Sequence, residues 1–338
     1  MTKKQSEDTV LTNKAGAASA SAPAALFSME QSMKDINLKT YAKINISLDV
    51  TGVRENGYHE VAMVMQTVDL WDEMQVSITP AEENSITLTC DRPDIPLDIK
   101  NTAYKAAHIM AEEYLDGKEK YAIEIDIKKN IPAAAGMAGG SSNAAGVLMG
   151  LNSLLGLDLP MERICALGKR IGADVPFCIM ALAAADPGLG VTGGSACALA
   201  EGIGEILTPL PSADMWAVLA KPPAAVSTAA VYTALDEIKD YEHPDTEKVI
   251  MGIKSKDSSF IREGMANVLE NVTLRDFPEV AELKKMMSSY DDGMTMMSGS
   301  GPTVFSLFED RETAEAAYEK VKSQLDGKGY AVFCVRTL

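Results

Sequence analysis

The sequence predicts an α+β fold in two domains. Some segments alternate apolar and polar residues with period two, as half-buried strands do, and others space their apolar residues three and four apart, as helices do. These signals come in two successive blocks, the second restarting beyond Pro209. A chain of 338 residues matches that organisation, at about 150 residues per domain. The expected division is a flexible tail over 1–36, one domain over 37–207 and another over 208–338.

The tail reads as such because AGAASASAPAA, Ala15 to Ala25, is of low complexity and has no periodic large apolar residues. No continuous apolar stretch follows Lys3 and Lys4, so a secretory signal is not expected, and Glu7 and Asp8 disagree with a transit peptide. Order is expected from near Leu38. In YAKINISLDV, Ala42, Ile44, Ile46, Leu48 and Val50 alternate with Tyr41, Lys43, Asn45, Ser47 and Asp49, which predicts a strand with one buried face and Lys43 and Asn45 on the other. A turn over Gly52 to Gly57 leads to a second strand, VAMVMQTVDL, and YAIEIDIKK repeats the alternation. After a Gly/Ala loop, Val147, Leu148, Leu151 and Leu155 predict a helix stopped by Gly156. MERICALGKRI predicts another, with Ile164, Leu167 and Ile171 on one face. In the second block WAVLA reads as a strand, several helical stretches follow, MSGSG is a loop, TVFSLF is apolar, Glu312 to Leu325 is an amphipathic helix, and AVFCVRTL is a final strand.

Composition narrows the function. Charged residues number 31 Lys+Arg against 48 Asp+Glu, a net charge of −17. A nucleic-acid binder needs a basic footprint to displace counterions, so none is expected. An anionic small molecule remains compatible, because a few lysines and backbone amides make a local positive site. The five cysteines are scattered and form no C-x-x-C pair, which fits reduced thiols in a cytoplasmic protein. His59, His108 and His243 lack metal-ligand spacing, and no apolar run reaches the ~20 residues of a membrane helix.

The strongest local signal for chemistry is Pro132-Ala133-Ala134-Ala135-Gly136-Met137-Ala138-Gly139-Gly140-Ser141-Ser142. Gly136, Gly139 and Gly140 permit positive φ and close backbone approach, and Ser141 and Ser142 stand where a helix begins, with free amides and a positive dipole end. That is a way to hold a triphosphate, although the Walker pattern is absent. The plain alternative is a strand–helix connection whose glycines serve packing. Asp174, in GADVP, fits either an N-cap before a helix opened by Pro176 or a carboxylate that takes or aligns a hydroxyl proton. Lys43 is either solvent-facing or the cation that steadies a transferring phosphoryl group. Ser298-Gly299-Ser300-Gly301 is either a simple turn or a second ligand-approaching loop.

Three blocks in order, AKINISLDVTG, IPAAAGMAGGSSNAA and MSGSGPTVF, resemble the GHMP family of small-molecule kinases, and the resemblance runs from about Leu38 to the C-terminus. It implies a ribosomal protein S5 domain 2-like N-terminal domain and a ferredoxin-like C-terminal domain. ENGYHEVAMVMQTVDLWDEM, IGADVPFCI and ALAEGIGEILTPL narrow it to members that phosphorylate the 2-hydroxyl of a cytidyl diphosphate methylerythritol, with ATP as co-substrate and Mg²⁺. By this resemblance Lys43 and Asp174 are the catalytic pair, Pro132 to Ser142 hold the ATP phosphates, and Asn101 lies near adenine. It further places Asn45 near the substrate, Tyr58 and His59 on the cytosine, and Tyr232 on the other side of that base. A monomer or weak homodimer with no nucleic-acid or membrane partner is implied.

The chain departs from the pattern in its tail and in ALAAADPGLGVT, Ala181 to Thr192, which intervenes where the family passes almost directly to GGTALAEG; Cys197 adds a further residue. The insertion is either a surface loop, which costs little closure entropy, or a disturbance of the pocket. Two other readings stay open: a kinase of the same family acting on homoserine, mevalonate or a sugar, against which GYHE and Tyr232 count, and a non-catalytic nucleotide-binding protein, which the insertion favours.

Overall fold

The computed structural model describes residues 33–290 and 294–338. Most of the expected tail, and the whole Ala15–Ala25 stretch, therefore lies outside the described residues. Strand β1 (Lys34–Val53) starts ahead of Leu38 and pairs antiparallel with β2 (His59–Pro80). With β3 (Ser85–Cys90), β4 (Tyr121–Lys128), β5 (Cys197–Gly202) and β6 (Ile206–Leu210) they form a six-stranded sheet, ordered β3-β4-β2-β5-β6 with β1 on β2. The expected division after residue 207 falls inside β6, which stays paired with β5 through Leu210. Helices α1 (Thr102–Tyr114), α2 (Gly139–Leu155), α3 (Met161–Lys169) and α4 (Val175–Ala185) bury their apolar faces against β2 and β4 in one core.

The second sheet is β10-β7-β9-β8, all antiparallel, built from β7 (Trp216–Lys221), β8 (Thr295–Met297), β9 (Val304–Phe308) and β10 (Ala331–Arg336). Taken in chain order this is 4-1-3-2, a ferredoxin-like arrangement. Helices α5 (Thr228–Leu235), α6 (Thr246–Ser255), α7 (Ser258–Gly264), α8 (Glu270–Asp276) and α9 (Pro278–Met287) fall between its first two strands, and α10 (Arg311–Leu325) precedes the last.

The two sheets share cores that include Met65, Val64 and Ile44 of the first and Val218, Leu219 and Phe305 of the second. Strand β1 also touches the C-terminal half directly: Leu48 N donates to Ala266 O (2.9 Å), and Val268 N donates to Leu48 O (3.0 Å). This contact changes the expected one-sided burial of β1. Residues 42–48 are buried on both faces: Ala42, Ile44 and Ile46 share a core with Leu219 and Phe305 of the second sheet, while on the polar face Lys43 meets Asp174 at the start of α4 and Ser47 Oγ lies 3.4 Å from Thr246 Oγ1 of α6. By contrast β4 keeps the alternation its sequence predicts, with Tyr121, Ile123, Ile125 and Ile127 buried and Glu124, Asp126 and Lys128 exposed.

The insertion forms neither a loose loop nor part of a pocket wall around the candidate residues. Ala181 to Ala185 extend α4, Pro187–Leu189 make a 3₁₀ turn, and Leu182, Leu189 and Val191 enter the N-terminal core. Ser195 N donates to Met180 O (3.1 Å), so the excursion closes on itself.

Candidate active site

Two β-bulges bracket the Lys43–Asn45 pair, with register shifts between Tyr41 and Lys43 and between Asn45 and Ser47. Bulges re-aim side chains, and here Lys43 and Asn45 point the same way: Lys43 Nζ donates to Asn45 Oδ1 at 2.7 Å. Lys43 Nζ stands 3.4 Å from Asp174 Oδ2, with the lysine side chain 5% and the aspartate 30% exposed. A buried cation needs such partners, since unpaired burial of charge is costly. Asp174 occupies the N-cap position of α4 without making a side-chain cap hydrogen bond. Its carboxylate is turned to Lys43 instead, so the side chain does no capping.

Behind the pair runs the Gly/Ala loop. Ala134 (φ 47°), Gly136 (φ 71°) and Ala138 (φ 56°) take left-handed backbone. Of the glycines expected to permit positive φ and close approach, Gly136 takes the first, while Gly139 and Gly140 are helical and serve the second. A Cβ on Gly139 would meet Ile131 at 2.9 Å, and one on Gly140 would stand 3.1 Å from Thr102 Oγ1. The two alanines hold a conformation that costs roughly 1 kcal/mol each. The reward is a run of backbone amides curled ahead of α2, an anion-binding geometry.

Met137 and Ser142, of the expected phosphate loop, do not line the cavity that its other residues do. Met137 is packed in the core, where its carbonyl accepts from Lys43 N (3.1 Å), and Ser142 turns inward to donate to Tyr41 O (2.7 Å). Pro132 to Gly136, Ala138 to Ser141, Lys43, Asn45, Asp174, Asn101, Tyr58, His59 and Tyr232 all line one cavity of about 870 Å³. A second cavity of about 510 Å³, between β1, β2, β4 and the end of α4, holds none of them.

At one end of the large cavity Asn101 caps α1, accepting from Ala103 N (2.8 Å) and donating to Pro96 O (2.8 Å). Its polar atoms are thus engaged in shaping the wall. Elsewhere on the lining the His59 and Tyr232 rings lie 4.9 Å apart, and Tyr58 beside them in sequence is exposed. Burial pushes the Tyr232 phenol up, and nearby Asp174 adds to that; the ring acts as a neutral aromatic wall. Burial and Asp174 likewise push the Cys178 thiol up, against a smaller opposite pull from Lys43. A neutral, buried thiol beside the pair is no nucleophile.

Several lining residues carried no sequence signal of their own. Lys100 and Lys129 join Lys43, so three lysines line a cavity in a chain of net charge −17. Lys129 pairs with buried Asp72 and donates to Asn143 Oδ1 (3.0 Å), fixing the approach to the loop. Asp236 Oδ1 lies 2.8 Å from His59 Nε2 across 177 residues of sequence. Thr228 and Ser300 hydroxyls meet at 2.8 Å. Asp174 is the sole carboxylate among the described residues lining the cavity, and no cluster of three His, Cys, Asp or Glu suited to a metal occurs among the described residues. None of them forms a helix long and apolar enough to cross a membrane.

Comparison with known proteins bears on this geometry. Residues 101–181 match the GHMP kinases N terminal domain, and residues 252–327 the GHMP kinases C terminal domain. A protein of Clostridium botulinum (strain Eklund 17B / Type B) named 4-diphosphocytidyl-2-C-methyl-D-erythritol kinase is 44% identical over 304 residues, 90% of this chain and 100% of the relative. One of the same name from Geobacillus kaustophilus (strain HTA426) is 43% identical over 90% of this chain and 97% of its own length. A crystal structure of 4-(cytidine 5'-diphospho)-2C-methyl-D-erythritol kinase superposes with TM-score 0.67 at 28% identity, covering 89% of this chain and 99% of that one. A mevalonate kinase from L. major, at TM-score 0.68 and 14% identity over 91% of this chain and 97% of that one, shares the fold.

Proposed function

The chain belongs to the 4-diphosphocytidyl-2-C-methyl-D-erythritol kinases, within the GHMP family, and from that premise we infer what its site does. It is an ATP-dependent small-molecule kinase that phosphorylates the 2-hydroxyl of 4-diphosphocytidyl-2-C-methyl-D-erythritol, giving the 2-phosphate and ADP, in the non-mevalonate route to isoprenoid precursors. The observation that carries the assignment of roles is the Lys43–Asp174 pair, 3.4 Å apart, facing the amide-lined loop within one cavity.

We assign the triphosphate to the loop Pro132–Ser141, whose backbone amides and the N-terminal end of α2 favour negative charge. Adenine lies toward Asn101, in the wall formed with Ile95 and Pro96. The cytosine lies at the opposite end, where Tyr58, His59 and Tyr232 supply aromatic faces and polar edges. Asp174 then accepts the proton of the 2-hydroxyl as it attacks, and Lys43 steadies the negative charge that spreads over the transferring group. Asn45 holds the Lys43 ammonium on that line of attack.

Phosphoryl transfer asks mainly for positioning and charge, which such a set provides. A magnesium ion brought by the nucleotide fits here, because Mg²⁺ keeps waters and substrate phosphates as ligands and needs no full protein cage. The Ser141 hydroxyl is the protein oxygen donor proposed for it, Asp174 being kept for the hydroxyl proton, and when bound the ion would neutralise phosphate charge. None of residues 181–192 lines the cavity, so the insertion lends no support to a non-catalytic reading.

Asp174→Asn tests the assignment. The variant keeps the shape of the side chain and loses its basicity, so kcat should fall about 10²- to 10⁴-fold while nucleotide affinity stays close to that of the parent. Unchanged kcat removes Asp174 from its role, and a parent that does not turn over the cytidyl alcohol removes the activity itself.

A further inference from the structure

The second glycine loop, Ser298–Gly301, is gripped from behind by three side chains at three-residue spacing. Asn267 Nδ2 donates to both Met297 O and Gly299 O, each at 2.8 Å. Glu270 Oε1 accepts from Met297 N at 2.8 Å, and its other oxygen holds Lys284 Nζ at 2.5 Å. Thr273 Oγ1 donates to Ser300 O at 3.1 Å. Asn267 and Thr273 are buried, and none of the three lines the ligand cavity.

The front of the same loop faces the chemistry. Ser298 Oγ donates to Gly136 O at 3.0 Å, and a Cβ on Gly136 would collide with the Ser298 carbonyl. A Cβ on Gly299 would stand 3.6 Å from Asn45 Oδ1. Asn267 also neighbours β1 itself, through the bridge to Leu48, three residues beyond Asn45. One short segment of the C-terminal half therefore fixes where the phosphate loop and the Lys43–Asn45 pair stand relative to each other.

We propose that Asn267, Glu270 and Thr273 are positioning residues for phosphoryl transfer: by holding the backbone of Met297–Ser300 they set the spacing between the phosphate loop and the Lys43–Asn45–Asp174 cluster. The inference rests on that cluster being the centre of transfer. Its physical basis is twofold. Buried carbonyls deprived of their donors are costly, so the loop relaxes when a donor is removed. Displacement by about 1 Å of groups that must be aligned costs rate far more than it costs binding.

The test uses the full chain with Thr273→Val, which is nearly isosteric but lacks the hydroxyl, Thr273→Ser, which keeps it, and Asn267→Ala. Two readouts are taken: amide hydrogen exchange over 132–140 and 298–301, and kcat and KM for ATP and the cytidyl alcohol. Thr273→Val should speed exchange in both loops and lower kcat about 10-fold, with each KM within about 3-fold of the parent. Thr273→Ser should return both readouts to parental values. Asn267→Ala, which frees two carbonyls, should lower kcat about 100-fold.

The proposal is overturned if Thr273→Val matches the parent, if Thr273→Ser is as impaired as Thr273→Val, or if exchange rises in 298–301 while 132–140 exchanges at the parental rate. The exchange readout needs no knowledge of the substrate. A parent that phosphorylates no cytidyl alcohol would count against the activity, while the loops still decide the coupling.

Discussion

Lys43 is buried beside Asn45 and Asp174, and the 3.4 Å between its Nζ and Asp174 Oδ2 is longer than a tight charged hydrogen bond, which under the proposed roles leaves the pair open to a substrate hydroxyl. Around it, single side chains divide the work. Tyr232 offers a neutral ring against His59 at the end assigned to cytosine. Tyr232→Ala should raise KM for the cytidyl alcohol about 10- to 100-fold, the worth of one base–aromatic stack, while KM for ATP moves less than about 3-fold. Steady-state kinetics with each substrate varied in turn checks this, and equal losses for both would remove Tyr232 from the cytosine end. The Lys43-x-Asn45 spacing was legible because period two alone puts both side chains on one face. The Asp236–His59 contact was not, since it joins residues 177 apart. Asn101 was expected near adenine and does line the cavity, but its amide is engaged in capping α1, a role that its place before Thr102 also encodes.

At the scale of elements, the Gly/Ala loop and the insertion show where local reading stops. The strand–loop–helix order was legible from composition, and α2 does end at Gly156 with φ 59°. Which residues take left-handed backbone was not, because Ala134 and Ala138 adopt it while Gly139 and Gly140 give space to Ile131, Lys129 and Thr102. That need for space exists only once those neighbours are in place. The insertion was left between a surface loop and a disturbance of the pocket; in the structure it is a partly exposed, ordered excursion anchored in the core. Leu189 is buried against the N-terminal core, whereas no residue of 181–192 reaches the ligand cavity. Leu189→Ala should therefore cost about 3 kcal/mol of stability through a cavity in that core and leave kcat near the parental value. Denaturant unfolding and turnover measured on one preparation check the split. A stable variant with reduced kcat would show that the insertion acts on the site.

In the molecule as a whole the site lies at the seam between two sheets. One supplies Lys43, Asn45 and, through α4, Asp174; the other supplies Ser300 and packs against the apolar face of β1. This is why β1 is buried on both faces, an outcome that a single strand's alternation cannot announce. It also bears on how a chain of net charge −17 receives a polyanion: Lys43 and Lys129 are paired with Asp174 and Asp72, so the attraction rests on Lys100 and the curl of loop amides. The order of the three GHMP-like blocks was legible because each carries its own local chemistry; their convergence depends on the packing of distant segments. The account stands or falls on which alcohol accepts the phosphoryl group. With ATP and magnesium held constant, ADP release should be measured with 4-diphosphocytidyl-2-C-methyl-D-erythritol, homoserine and mevalonate in parallel. Turnover of the cytidyl alcohol, with the other two at background, is the predicted result; turnover of homoserine or mevalonate in its place would contradict it.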